Sequence, residues 1–122
     1  MMQRTMLKSK LHRAVVTDAD LHYEGSITID KDLMDVADLL SYEKVDIYNV
    51  SNGERFSTYV IKGTRGSGVI CLNGAAARKA SRGDIIIIAS YVLVEEDSTK
   101  GWIPRCVLLD DKNRIKKKGL AL

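Results

Sequence analysis

Val45-Asp-Ile-Tyr-Asn-Val-Ser-Asn-Gly-Glu-Arg-Phe-Ser-Thr-Tyr-Val-Ile61 alternates apolar and polar residues on either side of Ser51, Asn52 and Gly53. Period-two alternation is the mark of a half-buried strand, and an Asn-Gly turn between two such runs makes a β-hairpin. Strands are therefore expected over residues 45–50 and 56–61. Arg55 and Tyr59, four positions apart, then fall on one face of the second strand.

Downstream of the hairpin, the glycine-rich residues 63–68 break the pattern, after which 69–72 reads as a strand and 75–80 as a short helix. Four consecutive isoleucines within 84–89 predict a strand buried on both faces. Residues 91–94 and 105–109 are the last strand candidates, with Pro104 at an edge or entry position. Upstream, residues 4–17 alternate imperfectly as a strand, 18–26 gather acids, Gly and Ser into a loop, and 26–29 return to strand. Asp30 is placed to cap a helix in which Leu33, Val36, Ala37 and Leu40 form one apolar stripe. Many strands, short helices and frequent turns give a mostly β chain with short helices, folded as a small β-barrel.

A chain of 122 residues suits one domain and one core. No apolar run approaches the roughly 20 residues of a membrane helix, and the start lacks the apolar stretch of a secretory signal, so the expected address is the cytoplasm. Cys71 and Cys106 have no spacing that suggests a metal or redox pair; buried, reduced thiols are expected. The formal charge is +3, but five of the 19 Lys and Arg lie in residues 112–122, which hold no acid. The remaining 14 face 16 Asp and Glu, so residues 1–111 carry about −2 and offer no nucleic-acid surface. Residues 112–122 read as a mobile basic tail.

Taken singly, the candidates for chemistry have ordinary explanations. Gly25-Ser26 is a flexible turn, Tyr59 a half-buried strand aromatic, Asn73-Gly74 a tight turn, Thr58 a strand threonine, and Lys10 and His12 solvated strand residues. Their company changes the reading. Thr17-Asp-Ala-Asp-Leu-His-Tyr-Glu-Gly-Ser26, Arg55-Phe-Ser-Thr-Tyr59 and Asn73-Gly-Ala-Ala-Ala77 occur in this order. Together with Arg4-Thr-Met-Leu7 and the isoleucine run they closely resemble the bacterial aspartate 1-decarboxylase family, the β-alanine-forming enzymes of pantothenate synthesis.

The resemblance implies a six-stranded double-psi β-barrel in a single domain, residues 1–122, that cuts itself into 1–25 and 26–122. The Ser26 hydroxyl would add to the Gly25 carbonyl and move the acyl group from nitrogen to oxygen. Elimination of the Gly25 carboxylate would leave dehydroalanine, which tautomerises and hydrolyses to a pyruvoyl group with loss of ammonia. Glycine at 25 is read as leaving room for that attack. The covalent pyruvoyl group from Ser26 would be the only cofactor, with no metal and no pyridoxal phosphate, and would bind aspartate as a Schiff base. Thr58 is implied to assist the cleavage and Tyr59 to protonate the carbanion. Arg55, Lys10, His12, Asn73, Gly74, Ala75 and Ala76 are implied to bind substrate, Arg55 being suited by its planar fork to the retained carboxylate. One departure is Tyr48, where the family usually has tryptophan.

The implied partners are L-aspartate and further copies of the chain, in a homotetramer with sites between subunits, with an accessory maturation protein as in some relatives. Neither nucleic acid nor membrane is among them. Two alternatives stand beside this reading. A pyruvoyl decarboxylase acting on histidine, arginine or adenosylmethionine would use the same chemistry, and a non-enzymatic barrel would use Lys116, Lys117 and Lys118 to touch anionic surfaces.

Overall fold

The computed structural model describes residues 2–22 and 25–119. The chain is mostly strand: β1 (Gln3–Val15), β2 (Asp18–Asp20), β3 (Ser26–Asp30), β4 (Lys44–Asn49), β5 (Arg55–Gly63), β6 (Ile70–Asn73), β7 (Ile85–Glu95), β8 (Arg105–Leu109) and β9 (Ile115–Lys118). Among the described residues one α-helix, α1 (Lys31–Val36), and 3-10 turns at Gly74–Arg78 and Glu96–Ser98 accompany the strands. The strands run β2-β6-β3-β5-β4-β7-β1-β8-β9 across one hydrogen-bonded order. No helix among the described residues is long and apolar enough to cross a membrane.

The hairpin forms as its pattern requires, with Tyr48 opposite Arg55 and Lys44 opposite Tyr59, and Gly53 supplying the positive φ of 79° that the turn needs. β7 is one eleven-residue strand where two shorter ones were expected, and it pairs with both β1 and β4. Its isoleucines alternate: Ile86 and Ile88 are fully buried, whereas Ile85 and Ile87 are half-buried on the outer face. Burial on both faces, as expected from the unbroken run, is therefore incomplete. The inner side chains of β1, β3, β4, β6 and β7, among them Leu11, Ile27, Ile29, Ile47, Leu72, Ile86 and Ile88, meet in one core.

Asp30 caps α1 by accepting the Asp32 N–H at 2.8 Å. The helix is shorter than its apolar spacing suggested, for a local reason. Asp38 takes a φ of 55°, the Leu39 N–H returns to the Met34 carbonyl and the Asp38 N–H to that of Asp35, closing a Schellman motif after Val36. Leu40 is consequently 69% exposed, and Met34 and Leu39 enter the core instead. The expected short helix near residue 75 is the 3-10 turn.

The expected mobile tail over 112–122 is corrected in its first part. Ile115–Lys118 pairs antiparallel with β8, and Asn113 is buried. Its side chain accepts the Val15 N–H and donates to the carbonyls of Val15 and Gly68, tying β1, the 63–68 loop and the C-terminal hairpin together. The sequence pattern did not reveal this, because charge alone marked the segment as solvated.

Candidate functional site

Ser26 opens β3 and is fully buried, whereas Gly25 before it is exposed. Burial follows from pairing on both sides. Ser26 lies opposite Asn73 of β6, and the next residue, Ile27, pairs with Val60 of β5. The ladder thus brings the Ser26 backbone alongside Thr58 and Tyr59.

Asn73 starts the 3-10 turn but does not cap it with its side chain. Its amide instead donates to Ser26 Oγ and to Thr28 Oγ1, both at 2.9 Å, while its Oδ1 accepts from Cys71 Sγ at 3.2 Å. The amide is spent on holding the serine. Gly74 follows with a φ of 62°, the left-handed turn that swings Ala75 and Ala76 away from β6. Ala75 is exposed and Ala76 buried. Thr28 and Cys71 were not among the expected site residues; only the β3–β6 register reveals them. Burial, and then the charges of Asp18 and Asp20, push the Cys71 thiol above its usual range, so it is a neutral donor.

Among the described residues other than its chain neighbours, nothing lies within 4 Å of a Cβ built at Gly25, and its φ is not positive. Backbone freedom is what glycine retains at this position. Tyr23 and Glu24, part of the quoted motif, lie outside the described residues.

Strand alternation sets Tyr59 and Arg55 on the outer face of β5 and Thr58 on the opposite one, beside Val45. Tyr59 is half-buried, with Tyr42 tilted against it at 6.5 Å between ring centroids. Arg55 is exposed, its guanidinium 4.0 Å above the centre of the Tyr48 ring. The Tyr48 hydroxyl lies 2.8 Å from that of Tyr91 on β7. Burial, the hydrogen bond to Tyr91 and the nearby Asp46 push Tyr48 up to about 12, against the opposing charge of Arg55, so the Tyr48 phenol stays protonated at neutral pH.

Lys10, Ala89, Asp46 and Ser57 form one row across β1, β7, β4 and β5. Lys10 therefore shares the outer face with Arg55, but three inter-strand spacings, about 14 Å, separate it from β5. Arg55 lies about 13 Å along β5 from Tyr59. Within one chain the cations and Ser26 are thus set well apart. His12 lies in a register irregularity of β1 between Leu11 and Ala14, next to Arg13 with a φ of 63°. Its Nδ1 is buried without a hydrogen-bond partner among the described residues. Burial, then the charges of Lys10 and Arg13, lower its pKa, so His12 presents a neutral ring at pH 7 and not a third cation.

Fold and site together define a small β-rich domain built around a buried serine held by an amide, with a separate cationic face. The chain matches the model of the aspartate decarboxylase family over residues 2–116 and belongs to that family. It is 71% identical over 115 residues to the aspartate 1-decarboxylase of Syntrophus aciditrophicus, covering 94% of this chain and 99% of that one. The aspartate 1-decarboxylases of Ralstonia nicotianae and Paraburkholderia phymatum are 61% and 60% identical over 116 residues, covering 95% and 94% of this chain and 97% and 91% of theirs.

Proposed function

We propose that this chain is the precursor of an enzyme that decarboxylates L-aspartate to β-alanine and CO2, a step of pantothenate synthesis, after cutting itself between Gly25 and Ser26. Membership of the aspartate decarboxylase family supports the reaction and the substrate. The observation that carries the self-processing is the buried Ser26 hydroxyl, bonded by Asn73 at the first residue of a strand whose preceding glycine is exposed.

In the cut, Ser26 Oγ bonds to the Gly25 carbonyl carbon, the 25–26 C–N bond breaks, and an ester links the segments. Loss of the Ser26 α-proton expels the Gly25 carboxylate. One water then replaces the nitrogen, ammonia leaves, and residue 26 ends as a pyruvoyl group. The site fits such a group: it is shielded from water, and the Asn73 N–H aimed at Ser26 Oγ is a donor for a carbonyl oxygen in the same place. When present, the group supplies an electron sink for the carbanion left by CO2.

The chain's own residues do the rest. Arg55 grips the retained carboxylate, since clamping the departing one would stabilise the ground state. Lys10 supplies a second cation, and His12 a neutral donor or acceptor beside it. Asn73, Gly74, Ala75 and Ala76 line the substrate's approach to residue 26, Thr58 assists the acyl shift, and Tyr59 Oη returns a proton to the substrate carbon after CO2 leaves. Because Arg55 and Lys10 lie on an outer face away from their own Ser26, we assign the complete site to the junction of neighbouring copies in a homotetramer. An accessory protein that speeds the cut is compatible with the exposed Gly25.

Denaturing mass spectrometry after warm incubation tests the cut, two fragments being expected in place of one 13.6 kDa chain. CO2 release from aspartate, with glutamate, histidine and arginine as competitors, tests the substrate. Turnover of another amino acid alone would overturn the assignment.

A further inference from the structure

Arg55, Tyr48 and Tyr91 form a line of contacts across β5, β4 and β7. The Arg55 guanidinium rests 4.0 Å above the Tyr48 ring, directly opposite in the register, and the Tyr48 and Tyr91 hydroxyls lie 2.8 Å apart. Tyr48 faces Ile87, four positions before Tyr91 on β7, so the two phenols reach toward each other along their strands, across the Asp46–Ala89 pair between them. A groove of about 240 Å³ beside Tyr91, Asp46 and Ala89 accompanies them.

Arginine has a long, mobile side chain, and a single exposed ring beneath it rotates about its own torsions. A hydroxyl bond at the far end of the ring removes that freedom. Tyr91 is 41% exposed and is not part of the buried core. Among the described residues its hydroxyl meets that of Tyr48 at 2.8 Å.

We propose that Tyr91 is a positioning residue for aspartate: its hydroxyl holds the Tyr48 ring on which Arg55 rests, and so fixes where the substrate's retained carboxylate is gripped. This rests on the assignment of Arg55 to that carboxylate in the proposed function. In this role Tyr91 acts on the substrate through two other side chains, Tyr48 and Arg55.

Steady-state kinetics on the processed protein test the inference. Tyr91→Phe keeps the ring and removes only the oxygen, so self-cleavage and Tm are expected to match the wild type. KM for aspartate should rise about three- to tenfold, the worth of one ordinary hydrogen bond, with kcat changed less than about twofold. Tyr48→Phe breaks the same bond and should raise KM equally, and the double variant should be no worse than either single one. An unchanged KM in Tyr91→Phe, a loss confined to kcat, or a double variant that multiplies the two effects would overturn the inference while leaving the proposed function standing. A processed wild-type protein that does not turn over aspartate would overturn the proposed function, and this inference with it.

Discussion

Ser26 and Asn73 are bonded across two strands. Ser26→Ala removes the nucleophile and should leave one intact chain by mass spectrometry, even after prolonged warming. Tyr59→Phe removes a proton donor, leaves the serine in place, and should allow the cut while lowering kcat by about 10²-fold or more. Arg55→Lys keeps the charge but loses the planar fork and the ring contact, so KM for aspartate should rise with processing intact. Ser26 was legible in the sequence only through its neighbours, because a Gly-Ser pair by itself is a turn. The part played by Thr28 and Cys71 in holding Asn73 was not legible at all, since no local spacing links residues 28, 71 and 73 until β3 and β6 pair.

At the scale of elements, Asp30 joins β3 to α1 and accepts N–H bonds from Asp32, Gly66 and Gly68. Burial pushes its carboxyl up, but those three N–H groups, with the charge of Arg114, outweigh it and hold the pKa below the usual carboxylate value. A depressed folded pKa means that this stabilisation is present above the unfolded value, near 4, and is lost as pH falls through the folded one. Asp30→Ala should therefore lower stability at pH 7 by about 2 kcal/mol, and the gap from wild type should narrow in acid thermal melts. Asp38 makes the opposite case. It closes α1 in the left-handed region without the freedom of glycine, so Asp38→Gly should raise stability by about 0.5–1 kcal/mol; its carbonyl bond to Lys8 Nζ, being backbone, is retained. The cap at Asp30 was readable from residue type, but the early stop was not, because the apolar stripe continues past it to Leu40.

For the molecule as a whole, the arrangement of charge matters more than its total. Lys10 and Arg55 share one outer face with exposed Tyr42, Tyr91 and Leu93 nearby, while Ser26 is buried on β3, between β5 and β6. A site assembled between copies predicts that uncut Ser26→Ala chains mixed and co-refolded with processed Arg55→Ala chains regain part of the activity that neither has alone. Sedimentation should show the homotetramer in the same samples. Asn113 holds the two ends of the chain to the 63–68 loop, and Asn113→Ala would leave the buried groups of Val15 and Gly68 without partners, a loss of about 3 kcal/mol readable by urea unfolding.

Local pattern was enough to determine the hairpin and the capped helix start, because side-chain period and turn chemistry act over a few residues. The ordered set of motifs was enough to determine the family. Tertiary structure alone decided that the basic segment becomes β9, that α1 ends at Val36, and that the amide of Asn73 turns to Ser26. It also decided that Tyr48 meets Tyr91. Each of these depends on which strands lie side by side, a register set by burying a common core between residues far apart in the chain, and no local pattern encodes it.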